Sequence, residues 1–359
     1  MEFEVTEAAS NPRWVSLAEV AAEAGVSART VARVMNDRAK VAAATAERVE
    51  EIAARLGYKG NELARSLKAS RSRTLGLVVP DISNPFFAAC CKAIEETARQ
   101  RGYTIMLCDS DADGQRQTEY VDLLVRRRVD GLIIAAVPGD KDALLPDRVN
   151  HLPVIAFDRP AAGSRTDVVV TNSKGIYDAT RHLIEHGHQR VAFVGQMRQM
   201  YTTRKRLSGF RRAMKEAGLA DDLVRLDAQN VYDAAQHVQQ LLSAPSPPTA
   251  VVAGNSLITA GALHFADVEG IRVPENLALI GYDDFELLEF LSPRLTRVRQ
   301  PTYGMGKAAT EAILDLLDEA AVGRRKIVLP TTLATATSCG CESRPTPAQP
   351  NDSPGEDTR

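Results

Sequence analysis

From residue 74 to about residue 341 one pattern recurs, a short unbroken apolar run followed by an amphipathic stretch of helical period. The runs are TLGLVVP (74–80), YTIMLC (103–108), GLIIAAV (131–137), PVIAFD (153–158), RVAFVG (190–195), TAVVAGN (249–255) and LALIGYD (277–283). They are rich in β-branched residues and show no polar alternation, so they read as strands buried on both faces, as in a parallel sheet. Helical patterns lie between them, for example over 86–101, 115–127, 173–186, 207–217 and 256–267. Such alternation dictates a doubly wound α/β architecture with right-handed crossovers. The seven strands could form one wide sheet or two smaller ones. Ligands of these sheets bind beyond the carboxyl ends of the strands, and there the runs carry polar residues: Asp81, Asp158 with Arg159, Asn255, and Asp283 with Asp284.

A chain of 359 residues is too long for one ordinary core, which implies two or three domains. Its net charge of −2 argues at first against a nucleic-acid partner. The average hides an asymmetry, because residues 24–73 hold eleven Lys/Arg against five Asp/Glu. The five cysteines (Cys90, Cys91, Cys108, Cys339, Cys341) are odd in number without disulfide spacing and read as reduced intracellular thiols. Cys339-Gly340-Cys341 has no second ligand pair beside it in sequence. His182 and His186, at i and i+4 before Gly187, read as a helix end where cationic groups suit the dipole. No metal and no cofactor is expected. The first residues, MEFEVTEAASNPRWV, lack the apolar core of a signal peptide, and no run nears the roughly 18 apolar residues of a membrane span, so the expected location is cytoplasmic. Residues 1–14 and the Pro-rich end, SRPTPAQPNDSPGEDTR (343–359), are expected to be disordered tails.

Residues 16–36, SLAEVAAEAGVSARTVARVMN, carry a different signal. Ser16 can cap a helix whose apolar face is Leu17, Val20 and Ala21, and Gly25 permits a tight turn. Ser27 can cap a second helix with Val31 and Val34 inward and Ala28, Arg29, Thr30 and Arg33 outward. A helix of this size fits the major groove, where an Arg can hold guanine O6 and N7 together. The plainer alternative is a small helical bundle with surface arginines.

VSLAEVAAEAGVSARTVARVMND, then ERVEEIAARLGY, then NELARSLKASRSRTLGLVVPDISNPFF resemble the lactose-repressor (LacI/GalR) family of bacterial transcription regulators, over about residues 15–341. The resemblance implies a helix-turn-helix head (15–59), a hinge helix and linker (60–73), and a two-lobed core like periplasmic binding proteins (74–341). One lobe would be about 74–170 with 301–330, the other 171–300 with 331–341, followed by a tail from 342. It places Ala28, Arg29 and Arg33 at base-reading positions, Thr30 and Asn36 near the DNA backbone, and Ser16, Leu17 and Ser27 at the same surface. Ala32, Ala42 and Gly60 depart from the residues usual in the family.

Residues 61–68 could make about two helical turns, too few to be stable alone. The resemblance implies that they fold only on DNA, with Asn61, Ala64, Arg65, Leu67 and Lys68 in contact and Leu67 wedged into a minor-groove base step. Alternatively Leu63 and Leu67 pack on the core. Positions matching the family's effector contacts are Asn84, Phe86, Asp158, Arg206, Asn255, Asp283 and Gln300. Acids, amides, an Arg fork and an aromatic face suit a sugar or sugar derivative. Asp158 and Asp283 also read as caps or turn residues, and Arg206 as half of an interlobe ion pair. Ser256 and Thr171 stand where the family usually has Asp. The expected function is a DNA-binding regulator, in the sense of a repressor, switched allosterically by this effector as a homodimer on a pseudo-palindromic operator. Tetramers stay open, although no C-terminal heptad supports them. The rival readings are a regulator without an effector, a sensor of a non-sugar metabolite such as a nucleobase, and an enzyme. The enzyme reading lacks a Gly-rich phosphate loop after a strand, a G-x-S-x-G elbow and a His near a candidate nucleophile in sequence, and no catalytic residue is expected.

Overall fold

The computed structural model describes residues 15–36, 38–58, 71–138, 144, 146–149, 152–284, 288, 290–318 and 324–341. The chain divides into two units, Met1–Ser72 and Arg73–Arg359.

In the first unit, α1 (Leu17–Ala24), α2 (Ala28–Asn36) and α3 (Ala43–Leu56) enclose one small core. Ser16 starts α1 through a full capping box with Glu19, an arrangement in which the cap alone contributes about 1 kcal/mol. Gly25 ends the helix with φ 62°, and the Val26 N–H closes back on the Ala21 carbonyl at 3.1 Å. Ser27 Oγ then accepts the Thr30 N–H at 3.1 Å, which starts α2. Val20, Val31, Val34, Ala46, Val49 and Ile52 meet in the buried cluster. Ala42 opens α3 without a side-chain cap.

The second unit contains two sheets, which answers the question the seven runs left open. The first is ordered β11-β5-β4-β3-β1-β2, with β1 (Thr74–Val79), β2 (Thr104–Asp109), β3 (Gly131–Ile134), β4 (Val154–Phe157), β5 (Thr166–Val170) and β11 (Arg325–Leu329) all parallel. The second is ordered β12-β10-β9-β8-β6-β7, with β6 (Val191–Val194), β7 (Val224–Arg225), β8 (Ala250–Ala253), β9 (Ala278–Tyr282), β10 (Thr296–Arg299) and β12 (Thr332–Ala334). Only β12 runs antiparallel to its neighbour among these described pairs. Helices α4 (Pro85–Gln100), α5 (Gly114–Arg126) and α11 (Thr302–Leu317) go with the first sheet. With the second go α7 (Asn172–Glu185), α8 (Tyr201–Glu216), α9 (Val231–Leu242) and α10 (Ser256–Val268), while a one-turn α6 (Pro146–Val149) packs on α5. No helix among the described residues is long and apolar enough to cross a membrane.

One expectation is corrected. The 103–108 run is not buried on both faces: β2 is an edge strand, with Thr104 exposed and Leu107 46% exposed. An edge strand has one neighbour only, so its outer side chains lack a covering layer.

The chain passes between the sheets after β5, after β10 and after β11. Thr171, standing where an Asp was usual in the resembled family, binds two of these passages together. Its hydroxyl accepts the Thr331 N–H at 2.9 Å and meets the Thr331 hydroxyl at 3.0 Å, while its own N–H donates to the Leu329 carbonyl at 2.9 Å.

α7 and α8 approach so closely that a Cβ at Gly209 would lie 2.1 Å from the Ser173 carbonyl oxygen. Backbone cannot move aside as a side-chain tip can. Gly209→Ala is therefore expected to cost about 1–3 kcal/mol, read as a lower unfolding midpoint in urea; an unchanged midpoint would mean that the helices separate freely.

The fold also gives the Cys339-Gly340-Cys341 pair a setting that the sequence did not show. The fold brings it against His182 and His186 at the C-terminal end of α7, from more than 150 residues away in the chain.

Candidate functional site

Two surfaces emerge. On α2, Ala28, Arg29 and Arg33 are exposed and Val31 and Val34 are buried. The first turn of α2 carries no acid, so its positive N-terminal end and the two guanidiniums act in the same sense toward an anion. Thr30 is half-buried, its hydroxyl 2.9 Å from that of Ser27. Ser16 is exposed but engaged by Glu19, and Leu17 packs on the head's core instead of lying free at its surface. The Asn36 side chain and all of Asn61, Ala64, Arg65, Leu67 and Lys68 lie outside the described residues.

The other surface is built at the carboxyl ends of the core strands. Asp158 follows β4 and Asp283 follows β9, both buried and both with positive φ, 64° and 74°. That conformation is uncommon for a residue with a Cβ, and it turns each carboxylate off its strand. Asp158 accepts Nε and Nη2 of Arg159, each at 2.8 Å. Asp283 accepts the Ser256 N–H at 2.9 Å and the Gln300 amide at 2.5 Å. Beside it, Arg206 on α8 donates to Asn172 Oδ1 at 2.8 Å and to the Gly254 carbonyl at 2.7 Å. Its guanidinium also covers the Tyr282 ring at 3.8 Å. These Arg206 partners all belong to the second sheet's side, so the structure does not use Arg206 for an ion pair between lobes.

The two acids lie within reach of one another's charge. Burial pushes the Asp283 carboxyl above the usual carboxylate range and the Asp158 charge adds to this, while Arg206, Gln300 and the Ser256 N–H hold it back. Burial also drives up the Cys90 thiol on α4, with Asp158 and Asp283 both contributing. Asp158 beside the first sheet, Asp283 beside the second and Cys90 on α4 are thus within electrostatic range of one another.

An acid whose folded pKa lies above its unfolded value stabilises the fold below about pH 4, and that contribution is lost as pH rises through the folded value. Asp283→Asn is accordingly expected to match or exceed the wild-type Tm near neutral pH, with the difference closing toward about pH 4. A neutral-pH Tm lower by more than about 4 °C, near 1 kcal/mol or more for a domain this size, would show instead that the attraction of Arg206 for the Asp283 charge outweighs the cost of burying it.

Not all the anticipated residues join this centre. Asn84 is spent capping α4, accepting the Phe86 N–H at 3.0 Å. Phe86 is buried in an aromatic stack, 5.0 Å from Phe87, which lies 6.2 Å from Phe157. Asn255 caps α10 and donates to Gln196 at 2.5 Å; it adjoins the centre through Gly254. Three members were not anticipated as contacts: Arg159, Asn172 and Tyr282. A lone Arg or Asn after an apolar run carries little signal until its unfilled valence is seen. Here Arg159 Nη1, Asn172 Nδ2 and Gln300 Oε1 are buried without a hydrogen-bond partner in the protein. Two donors and one acceptor left bare in buried surroundings cost about 1–3 kcal/mol each, and a ligand with hydroxyls or amides would satisfy them. A cavity of about 280 Å³ opens beside it, lined by Thr171, Lys174, Tyr201, Lys205 and Lys326 and touching the buried group at Asn172.

Residues 16–61 match the family described as bacterial regulatory proteins, lacI family. Residues 72–336, most of the chain, match the periplasmic binding proteins and sugar binding domain of LacI family. The chain belongs to the LacI family. Within it, the chain is 34% identical over 308 residues to the HTH-type transcriptional repressor PurR of Aliivibrio salmonicida (strain LFI1238), covering 85% of this chain and 92% of that protein. Its fold matches the lac repressor dimer bound to operator and the anti-inducer ONPF with a TM-score of 0.82, at 26% identity, over 91% of this chain and 99% of that one. It also matches the transcriptional regulator CelR in complex with cellobiose, with a TM-score of 0.68 at 30% identity, over 90% and 99% of the two chains. LacI-family membership makes this a DNA-binding transcriptional regulator with a helix-turn-helix head and a small-molecule-binding core. The named relatives are regulators of transcription.

Proposed function

We propose that the chain is a repressor that binds a pseudo-palindromic operator as a homodimer, released from or tightened on that DNA by a sugar or sugar derivative at the Asp158–Asp283 centre. The observation that carries the effector half is the set of unpaired buried atoms on Arg159, Asn172 and Gln300. Vicinal hydroxyls suit them, since each hydroxyl can donate to one of the acids and accept from an amide or guanidinium. The cellobiose-bound relative supports a carbohydrate over other polar ligands. In the DNA half, Arg29 and Arg33 read base edges, Ala28 makes an apolar contact beside them, and residues 61–68 dock in the minor groove with Leu67 as the wedge. Asn84, Phe86 and Asn255 take the role of a supporting rim, holding α4 and α10 at the edge of the centre.

Thermal denaturation of the full chain with a panel of sugars, sugar acids, nucleosides and nucleobases tests the effector half. A ligand of the native state present at 100 times its Kd adds about 2.7 kcal/mol of stability. A carbohydrate that raises Tm in the wild type and not in Gln300→Ala supports the proposal. A response to nucleobases alone replaces the ligand class, and no response across the panel removes the sensor from the account.

A further inference from the structure

We propose that Cys339, Cys341, His182 and His186 form a zinc site that ties the C-terminal end of α7 to the end of the core. The four side chains come from two places. His182 lies in the last turn of α7 and His186 caps it; Cys339 ends a 3-10 turn (Thr337–Cys339), and Gly340, with φ 89°, swings the chain so that Cys341 returns to the same point. His182 Nε2 is 3.2 Å from both sulfurs, the two sulfurs are 3.2 Å apart, and His186 Nε2 is 3.2 Å from Cys341 Sγ.

Hydrogen bonds do not account for this convergence. The Cys341 thiol has one proton, yet three soft donor atoms surround its sulfur at 3.2 Å. His186 Nδ1 lies 2.7 Å from the His182 carbonyl, so it carries the ring proton and leaves Nε2 with a bare lone pair facing Cys341. This is the tautomer a metal-bound histidine adopts, with its second nitrogen fixed by a backbone carbonyl. Cys339 Sγ likewise accepts the Thr296 hydroxyl at 3.0 Å, an outer contact that suits a thiolate.

A divalent cation resolves the arrangement by replacing the thiol protons, which leave to solvent. Zinc bonds of about 2.3 Å to sulfur and 2.0–2.1 Å to nitrogen set tetrahedral ligand atoms about 3.3–3.8 Å apart; His182, His186 and Cys341 already hold their ligand atoms within 4.8 Å of one another, and Cys339 Sγ, 3.2 Å from both His182 Nε2 and Cys341 Sγ, has to turn toward His186 to complete the set. A sulfur pair 3.2 Å apart is well outside a disulfide bond of about 2.05 Å. Two thiolates and two imidazoles without a carboxylate select zinc over magnesium or calcium. Four protein ligands leave no open position, so the role is structural. The location supports it: Cys339 is fully buried in the cluster that includes Ile176, Ala179 and Leu183 of α7, and the negative end of the α7 dipole favours a cation.

The test uses the full chain purified under reducing conditions without chelator. Elemental analysis is expected to find roughly one zinc per chain, lost from Cys339→Ser/Cys341→Ser. In the wild type stripped of metal, added cobalt(II) should produce thiolate charge-transfer absorption and the intense visible bands of tetrahedral cobalt. Titrating zinc should abolish those bands and raise Tm, readings that do not depend on whether a variant folds. Failure of the reduced wild-type chain to bind zinc or cobalt, or full zinc occupancy in the double variant, would overturn the site.

Discussion

Arg29→Ala is expected to weaken binding to the specific operator by roughly 30-fold to 10⁴-fold. The estimate takes about 1–3 kcal/mol per bidentate guanine contact, counted twice for the two half-sites of a dimer. Arg29 is exposed on the first turn of α2 and lies over a core that its removal does not disturb, so the head should keep its circular dichroism spectrum. Nonspecific affinity should fall far less, because it follows the number of phosphate contacts and not base identity. Operator recovered by selection from a random pool, titrated by fluorescence anisotropy at fixed salt, reads the difference. Equal losses on operator and on random DNA would reassign Arg29 to a phosphate.

The largest loss of stability is expected at Arg206. Its guanidinium is 5% exposed and serves Asn172, the Gly254 carbonyl and the Tyr282 face, beside the buried Asp283. Arg206→Leu leaves these groups buried and uncompensated, at a cost of about 3–5 kcal/mol, which for a domain of this size lowers Tm by roughly 6–20 °C. Adding Asp283→Leu should recover part of the loss, since the two groups are coupled by about 0.5–3 kcal/mol. A fall within about 2 °C for Arg206→Leu, or strict additivity in the double variant, would show that the network is not held by charge. Effector response should disappear in both variants.

The parts of this fold readable in the sequence are those where one physical requirement dominates. Six of the seven apolar runs were legible because parallel strands covered on both faces leave no place for polar residues; the seventh, 103–108, is the edge strand β2, apolar without being covered. By the same logic β10 was not singled out, although Thr296 is fully buried and Arg297 nearly so. Its charges look like loop residues until Asp284 is seen to bind both Arg297 and Arg299, at 2.6 and 2.5 Å. β11, with Arg325 and Lys326, is hidden in the same way, and its side chains are in fact largely exposed. The helical pattern of α8 was recognised only from Leu207, because YTTRKR is polar; yet Thr202, Thr203 and Arg206 are buried there, on the side that builds the polar centre.

The head was legible to single residues, since caps and turns are local: Ser16, Gly25 and Ser27 each do what their chemistry favours. In the core, Asp158, Arg206, Asp283 and Gln300 fall into one group, whereas Asn84 and Phe86 are engaged in capping and packing. Arg159 was noted at its strand end but not as a contact, and Asn172 was not noted as one, because their significance lies in hydrogen bonds they fail to make. The His and Cys pairs were each visible, but only the fold joins segments so far apart in the chain.

The account turns on coupling between the polar centre and the DNA-reading head. The direct measurement is the operator Kd of the full chain with and without the saturating effector found by thermal denaturation. The account predicts a change of about 5- to 150-fold, the range set by coupling energies of 1–3 kcal/mol, and none in Gln300→Ala. An operator affinity that stays the same while the ligand plainly stabilises the core would contradict it.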